Sequence, residues 1–253
     1  MGLLEGGERR MPKAKYDDIY RDLKERIEQE EYAYQSLLPS ENELAARYDC
    51  SRNTVRRAIA QLASDGYVQS MHGRGVRTIY QPVEQAAFTV GGIESFKESV
   101  ARNHRVASTE VLEFRHVIAD AKLAARTGFE EGAPLTYILR LRLLDGEPLI
   151  LDRNYFRSDI AKGLTEDIAR ASVYDYLEGE LGIVITTSKR TMTVEKVTAQ
   201  DRRYLDLKGY NCLAVITGQT YDDHGVQFEW TQSRHRPDYF RFQDVATRTR
   251  PGV

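Results

Sequence analysis

In "LPSENELAARYDCSRNTVRRAIAQLASDGYVQSMHGRGV", Leu38 to Val76, helix stops, caps and turn residues follow one another in an informative order. Pro39 ends whatever precedes it, and Ser40 with Glu43 spells a capping box, the serine side chain taking the Glu43 amide and the glutamate reaching back. A short helix to about Arg47 follows, with Leu44 and Ala45 turned inward. After the connector "YDCS", Ser51 caps a third helix in which Val55, Ala58, Ile59 and Leu62 form an i, i+3, i+4, i+7 stripe. Its other face carries Arg52, Arg56 and Arg57 with Asn53, Thr54 and Gln61, and no acid lies between Ser51 and Ser64. A merely solvated helix mixes signs to form pairs one turn apart. Three arginines without an acid predict a face held for an anion.

Asp65 and Gly66 end that helix, and the β-prone segments Tyr67 to Met71 and Val76 to Tyr80 flank "SMHGRGVR" as a hairpin would. Gly73 and Gly75 are not a phosphate cradle, because a Walker loop ends in Gly-Lys-Ser/Thr and a dinucleotide fingerprint leads into a helix. Here "VRTIY" follows, so the glycines make a turn whose tip presents His72 and Arg74. Upstream, Tyr16, Ile19, Tyr20, Leu23 and Ile27 mark one face of a helix over Lys13 to Glu30. Helix, short helix, turn, basic helix and hairpin is the order of a winged helix-turn-helix, predicted over residues 13–80. In that geometry the start of the second helix of the pair reaches base edges, which singles out Arg52, Asn53, Thr54 and Arg56.

The rest of the 253-residue chain differs in texture. Residues 1–12 read as a disordered extension, residues 81–88 as a linker containing Pro82, and residues 89–253 as a second domain. Strands are predicted over Leu135 to Leu144, Glu147 to Phe156, Gly182 to Val197 and Leu213 to Arg236, some interrupted by turns. Helices are predicted over Thr165 to Glu180 and Thr198 to Leu207, each led by a threonine cap. The fold class is α+β, with an antiparallel sheet in the second domain.

Within "LTYILRLRLL", Arg140 and Arg142 share a face of an otherwise apolar strand. Either that face is solvated or an anion pairs with the arginines, since burying them alone is costly. Asp152 lies on the following strand, and a three-residue loop around Asp145 and Gly146 would bring it to the side of Arg140, whereas a two-residue turn would not.

Composition sets outer limits. A net charge of -2 and a pI near 6.3 exclude a generally polybasic coat, so any anion-binding surface is local. Cys50 and Cys212 have no CxxC companion, which suits a reducing cytosol. No signal peptide or membrane-spanning run is apparent, so a cytoplasmic protein is expected. His72, His104, His116, His224 and His235 show no metal-ligand spacing, no nucleophile stands beside a base, and neither metal nor cofactor is expected.

The motifs P-S-E-x-E-L-A, S-R-x-T-V-R-x-A and G-x-G in Leu38 to Val76 resemble the DNA-binding domain of the GntR family of bacterial transcription regulators. The resemblance implies DNA contacts at Asn42, Arg52, Thr54 and Arg56, with His72, Gly73 and Arg74 at the wing; Asn53 and Arg57 complete the basic face. From Phe88 onward the chain resembles the effector domain of the GntR subgroup that shares the chorismate-lyase fold. "SFKE", "LILDRNYF", "SVYDYLEGELG", "DRRYLDLKGY" and "SRHRPDYFRFQDVATR" are similar to the trehalose operon repressors within it. That implies trehalose 6-phosphate as effector, a phosphate loop at Ser95 and Phe96, a phosphate clamp of Arg140 and Arg142 completed by Ser172 and Tyr174, and carboxylates for sugar hydroxyls at Asp152 and Glu229. His235 stands where many relatives carry tyrosine, and Pro237 replaces a common glycine. The expected behaviour is that of a homodimer on a pseudo-palindromic operator, its effector domain sensing a sugar phosphate such as trehalose 6-phosphate or an amino-sugar phosphate. An enzyme with a lyase-like fold is the alternative.

Overall fold

The computed structural model describes residues 15–81, 87–89, 93, 95–102, 106–243 and 246. The expected extension over residues 1–12 and most of the expected linker over residues 81–88 lie outside them. The chain divides into two compact units, with the boundary at Glu84 and Gln85.

The first unit is a winged helix-turn-helix. Helices α1 (Lys15–Glu28), α2 (Glu41–Arg47) and α3 (Arg52–Ser64) precede a hairpin of β1 (Val68–Met71) and β2 (Gly75–Thr78). The stripes read from the sequence meet in one core: Ile19, Leu23 and Ile27 from α1, Leu44 from α2, and Val55, Ala58, Ile59 and Leu62 from α3. Both sides of the capping box form, with the Glu43 amide donating to Ser40 Oγ at 3.3 Å and the Ser40 amide to Glu43 Oε2 at 2.7 Å. Ser51 caps α3 by accepting from the Thr54 amide at 3.2 Å. Leu37 bridges to Arg77, adding a short third lane to the wing. Gly73 and Gly75 have φ of 69° and 95° with open space around them, so the turn needs their left-handed backbone rather than their small size.

The second unit opens with β3 (Ala87–Thr89) and α4 (Phe96–Arg102). Then follow β4 (Ala107–Ile118), α5 (Ala121–Thr127), β5 (Pro134–Leu144), β6 (Glu147–Arg157), α6 (Glu166–Ala171), α7 (Val173–Gly179), β7 (Ile185–Lys196), α8 (Ala199–Tyr204), β8 (Cys212–Asp222), β9 (Gln227–His235) and β10 (Arg241–Gln243). Six strands form one antiparallel sheet in the order β4-β5-β6-β9-β8-β7, while β10 pairs with β3 in parallel. Alternation along β5 assigns its faces: Leu135, Tyr137, Leu139 and Leu141 pack with Trp230, Leu213 and residues around α5 and α8. Ile138 packs on the other face with Phe156, Phe228 and the apolar sides of α6 and α7.

Two sequence expectations are corrected. The helix expected over Thr165 to Glu180 is two helices, because Ser172 is extended at φ -157° and ψ 115° and caps α7 through its hydroxyl. The connection between β5 and β6 is a two-residue turn, not a three-residue loop: Leu144 pairs with Glu147, and Asp145 and Gly146 both take positive φ. The one-residue shift comes instead from a bulge at Leu149, after which Arg142 faces Ile150 and Arg140 faces Asp152. Helix α4 begins at Phe96, where the resemblance implies a helix start, whereas strand β4 and helix α5 have no counterpart in the sequence reading, since the mixed polar and apolar run of β4 lacks a clean period.

Truncating Leu62, fully buried among the three helices, removes methylenes the neighbours cannot replace. Leu62→Ala is predicted to destabilise the first unit by about 2–5 kcal/mol in chemical denaturation. The second unit's unfolding, followed at Trp230, is predicted to stay in place; a matching shift there would show that the units do not fold independently.

Candidate functional site

Strand register builds a floor across five strands, because residues paired directly across neighbouring strands face the same side. One row runs Arg140, Asp152, Ser233, Ile216, Met192, and the next runs Ile138, Asn154, Thr231, Gly218, Arg190. A third runs Phe156, Glu229, Thr220, Ser188. A Cβ on Gly218 would lie 3.3 Å from Thr231 Cγ2, so glycine leaves the middle of the floor open. Above it, α4 and the break between α6 and α7 enclose a cavity of about 180 Å³. Ser95, Phe96, Arg140, Arg142, Asp152, Ser172, Tyr174, Glu229 and His235 all line it.

The alternative that the arginine face is solvated is closed: Arg140 and Arg142 are each 5% exposed. Arg142 donates through Nε to Asp152 Oδ2 at 2.8 Å and through Nη1 to Thr109 Oγ1 at 2.7 Å, and its guanidinium lies 4.6 Å from the Phe96 ring centroid. Arg140 donates to Asn154 Oδ1 at 2.8 Å and to the Ala169 carbonyl at 3.3 Å, and its Nε has no partner among the described residues. Burial, reinforced by repulsion from Arg142, pushes the Arg140 guanidinium down to about 9 despite Asp152 and Glu229 nearby. An anion entering the cavity would relieve that penalty.

The carboxylates differ in state. Burial alone would raise Asp152, but Arg142 and Arg140 hold it below the usual carboxylate range. Burial raises Glu229, which accepts from Tyr174 Oη at 2.6 Å, Asn154 Nδ2 at 3.0 Å and Thr220 Oγ1 at 3.2 Å. The lining therefore sets Arg140, Arg142 and Arg190 against Asp152 and a Glu229 shifted toward neutrality, with Lys97 already paired to Asp175 at 2.6 Å. The balance is positive, as a phosphate ester requires.

Two expected roles are redistributed. The Tyr174 hydroxyl sits on Glu229 rather than on the arginines. The Ser95 amide donates to Glu98 Oε2 at 2.7 Å, so in this state it is engaged within its own helix start. Ser172 spends its oxygen lone pair on the Asp175 amide at 3.2 Å and keeps its hydroxyl proton. Asn154, Thr220, Ser188 and Arg190 were not among the sequence candidates. Period-two counting from Asp152 reaches Asn154, but the others need the strand order, which the sequence does not state.

The DNA-facing candidates lie on the first unit, where Asn42, Arg52, Asn53, Arg56, Arg57, His72, Gly73 and Arg74 are exposed and Thr54 is half-buried. The expectation of an acid-free basic face is corrected: Glu41 of α2 accepts from both Arg52 and Arg56, a contact invisible to counting along α3. Arg57 is drawn to α1, its guanidinium 3.7 Å from the Tyr16 ring centroid. Asp222, Asp223 and His224 converge in the β8–β9 turn. Asp222 Oδ1 there accepts from the amides of His224 and Val226, a turn-forming role.

Among the described residues no helix is long and apolar enough to cross a membrane. A winged helix-turn-helix carried with a sheet domain around a buried cationic cavity defines a ligand-responsive DNA-binding regulator. Family comparison matches residues 15–77 to bacterial regulatory proteins of the gntR family and residues 102–241 to the UTRA domain, and the chain belongs to the GntR family with a UTRA domain. It is 36% identical to the HTH-type transcriptional regulator TreR of Bacillus subtilis, over 92% of this chain and 98% of TreR. It is 27% identical to the transcriptional repressor NagR of the same organism, over 90% and 92% of the respective chains. The solved effector-binding domain of the B. subtilis trehalose repressor superposes with a TM-score of 0.52 at 34% identity, covering 56% of this chain and 99% of that one. The solved structure of YydK of B. subtilis, described as a possible transcriptional regulator, shares the fold at a TM-score of 0.77 and 18% identity, over 92% and 99% of the chains.

His235 supplies a pH test of the cavity wall. Burial pushes its imidazole down to about 4, with Asp152 only partly offsetting the shift, so the folded state holds it neutral. Its stabilising contribution is complete above the unfolded value near 6.5 and is lost as pH falls toward 4. Denaturant unfolding of His235→Phe is predicted to lose up to about 3 kcal/mol less than wild type between pH 7 and pH 4; parallel profiles would contradict a neutral buried His235.

Proposed function

We propose that the protein is a transcriptional repressor of a trehalose utilisation operon, released from its operator by trehalose 6-phosphate. The observation that carries this reading is the cavity itself: a net-positive floor of buried arginines next to Asp152, Glu229, Asn154 and Ser233, hydrogen-bonding groups suited to sugar hydroxyls. Similarity to TreR and to the trehalose repressor effector domain supports the choice of sugar. In this reading the Arg140 and Arg142 side of the cavity takes the phosphate, with Ser95, Phe96 and Ser172 around it, and Asp152, Tyr174, Glu229 and His235 orient the sugar. Arg52, Asn53, Thr54 and Arg56 read the operator, with Asn42, Arg57, His72, Gly73 and Arg74 beside them on backbone and groove.

A homodimer on a pseudo-palindromic site supplies the affinity that one winged module lacks. Such a regulator acts in the cytoplasm and needs no cofactor. A second sugar class is favoured by one observation: a buried carboxylate at Glu229 also suits the ammonium of an amino-sugar phosphate.

Operator release is testable by fluorescence anisotropy on the full chain. Trehalose 6-phosphate is predicted to weaken operator binding about 5- to 150-fold, the range of a coupling of about 1–3 kcal/mol. Arg140→Lys keeps the charge but loses the fork, and is predicted to bind DNA as wild type while needing at least about tenfold more effector. Unchanged operator binding at saturating trehalose 6-phosphate would eliminate this effector, and release by glucosamine 6-phosphate instead would assign the amino-sugar class.

A further inference from the structure

Glu41 is where the first unit departs from what its basic face alone would suggest. Its carboxylate accepts from Arg56 Nε at 3.0 Å and 2.9 Å through its two oxygens, and from Arg52 Nη2 at 3.1 Å. Glu41 opens α2, directly after the Ser40 cap. The two arginines stand one turn apart on α3, and their remaining guanidinium N–H groups make no hydrogen bond among the described residues. Side-chain exposures of 55% and 54% for the arginines and 30% for Glu41 place the cluster at solvent, where ion pairs add little stability.

The geometry points to a role in selecting DNA sequence: we propose that Glu41 is a positioning residue for operator recognition, acting through Arg52 and Arg56 without itself serving as a base contact. An unrestrained arginine neutralises the phosphates of any duplex. Bidentate reading of guanine demands an oriented fork, and Glu41 holds Arg56 by Nε so that its two Nη groups remain as an outward pair. The same carboxylate removes one positive charge from the face, lowering affinity for phosphate at large. Glu41 thus exchanges non-specific affinity for discrimination. This rests on the reading of α3 as the operator-reading helix.

The test uses the full-length protein, a duplex that wild type selects from a random-sequence pool, and a shuffled duplex of the same composition. Affinities are measured by anisotropy across a salt series. Glu41→Gln is expected to bind the shuffled duplex more tightly, with a steeper salt dependence, and to lose about tenfold in the ratio of selected to shuffled affinity. Its melting temperature is expected to match wild type. In an Arg56→Lys background, which already lacks the fork, the same substitution is expected to change the ratio little. An unchanged ratio in Glu41→Gln would overturn the proposal, as would equal weakening on both duplexes together with a lowered melting temperature, which would mark a structural role. Failure of wild type to select any duplex would overturn the operator-reading role of α3 and this proposal with it.

Discussion

Two guanidinium groups two residues apart on one face of a strand repel each other and, once buried, lose their hydration; the second unit is organised around meeting that cost at Arg140 and Arg142. The bulge at Leu149 brings Asp152 opposite Arg140 and beside Arg142, while Asn154, two residues further along β6, takes Arg140 with one end of its amide and Glu229 with the other. The helix break at Ser172 leaves the Ala169 carbonyl as a further acceptor for Arg140. Compensation stops short of completion: Arg140 Nε stays without a partner among the described residues, and burial raises the pKa of Glu229 while the arginines lower that of Asp152. In the proposed function, a pocket whose own charges are nearly but not fully balanced favours the anion that completes it.

The same logic, with the opposite sign, governs the first unit. There the arginines lie at solvent, where hydration costs nothing to keep, and in the role proposed for it the acid beside them, Glu41, restrains direction rather than balancing burial. In the proposed function the chain uses arginine in two ways: enclosed and fixed for a small phosphate ester, exposed and oriented for a polymer of phosphates and bases.

Much of the fold was legible because local signals agreed. Ser40, Glu43 and Ser51 cap helices where their spacing said they would, and Gly73 and Gly75 turn the hairpin. The α+β class of the second unit followed from long alternating runs. What failed were features decided between segments. The Ser172 break is invisible to a periodicity that continues through it, and a two-residue turn with a later bulge produces the same juxtaposition of Arg140 and Asp152 as a three-residue loop. For the cavity, residues on adjacent strands such as Arg140, Arg142 and Asp152 could be paired from sequence, whereas Ser188, Arg190 and Thr220 enter only through the order β6-β9-β8-β7. Glu41 was missed because its partners lie across a turn, on another helix.

The central claim is that the incompletely compensated arginine pair makes the second unit a receptor for a phosphorylated sugar. Isothermal titration of the full chain with trehalose 6-phosphate, trehalose and inorganic phosphate tests it most directly. The account predicts that the ester binds far more tightly than either fragment, because only the ester engages the arginines and the hydroxyl-binding groups together. Trehalose binding as tightly as its 6-phosphate would contradict it.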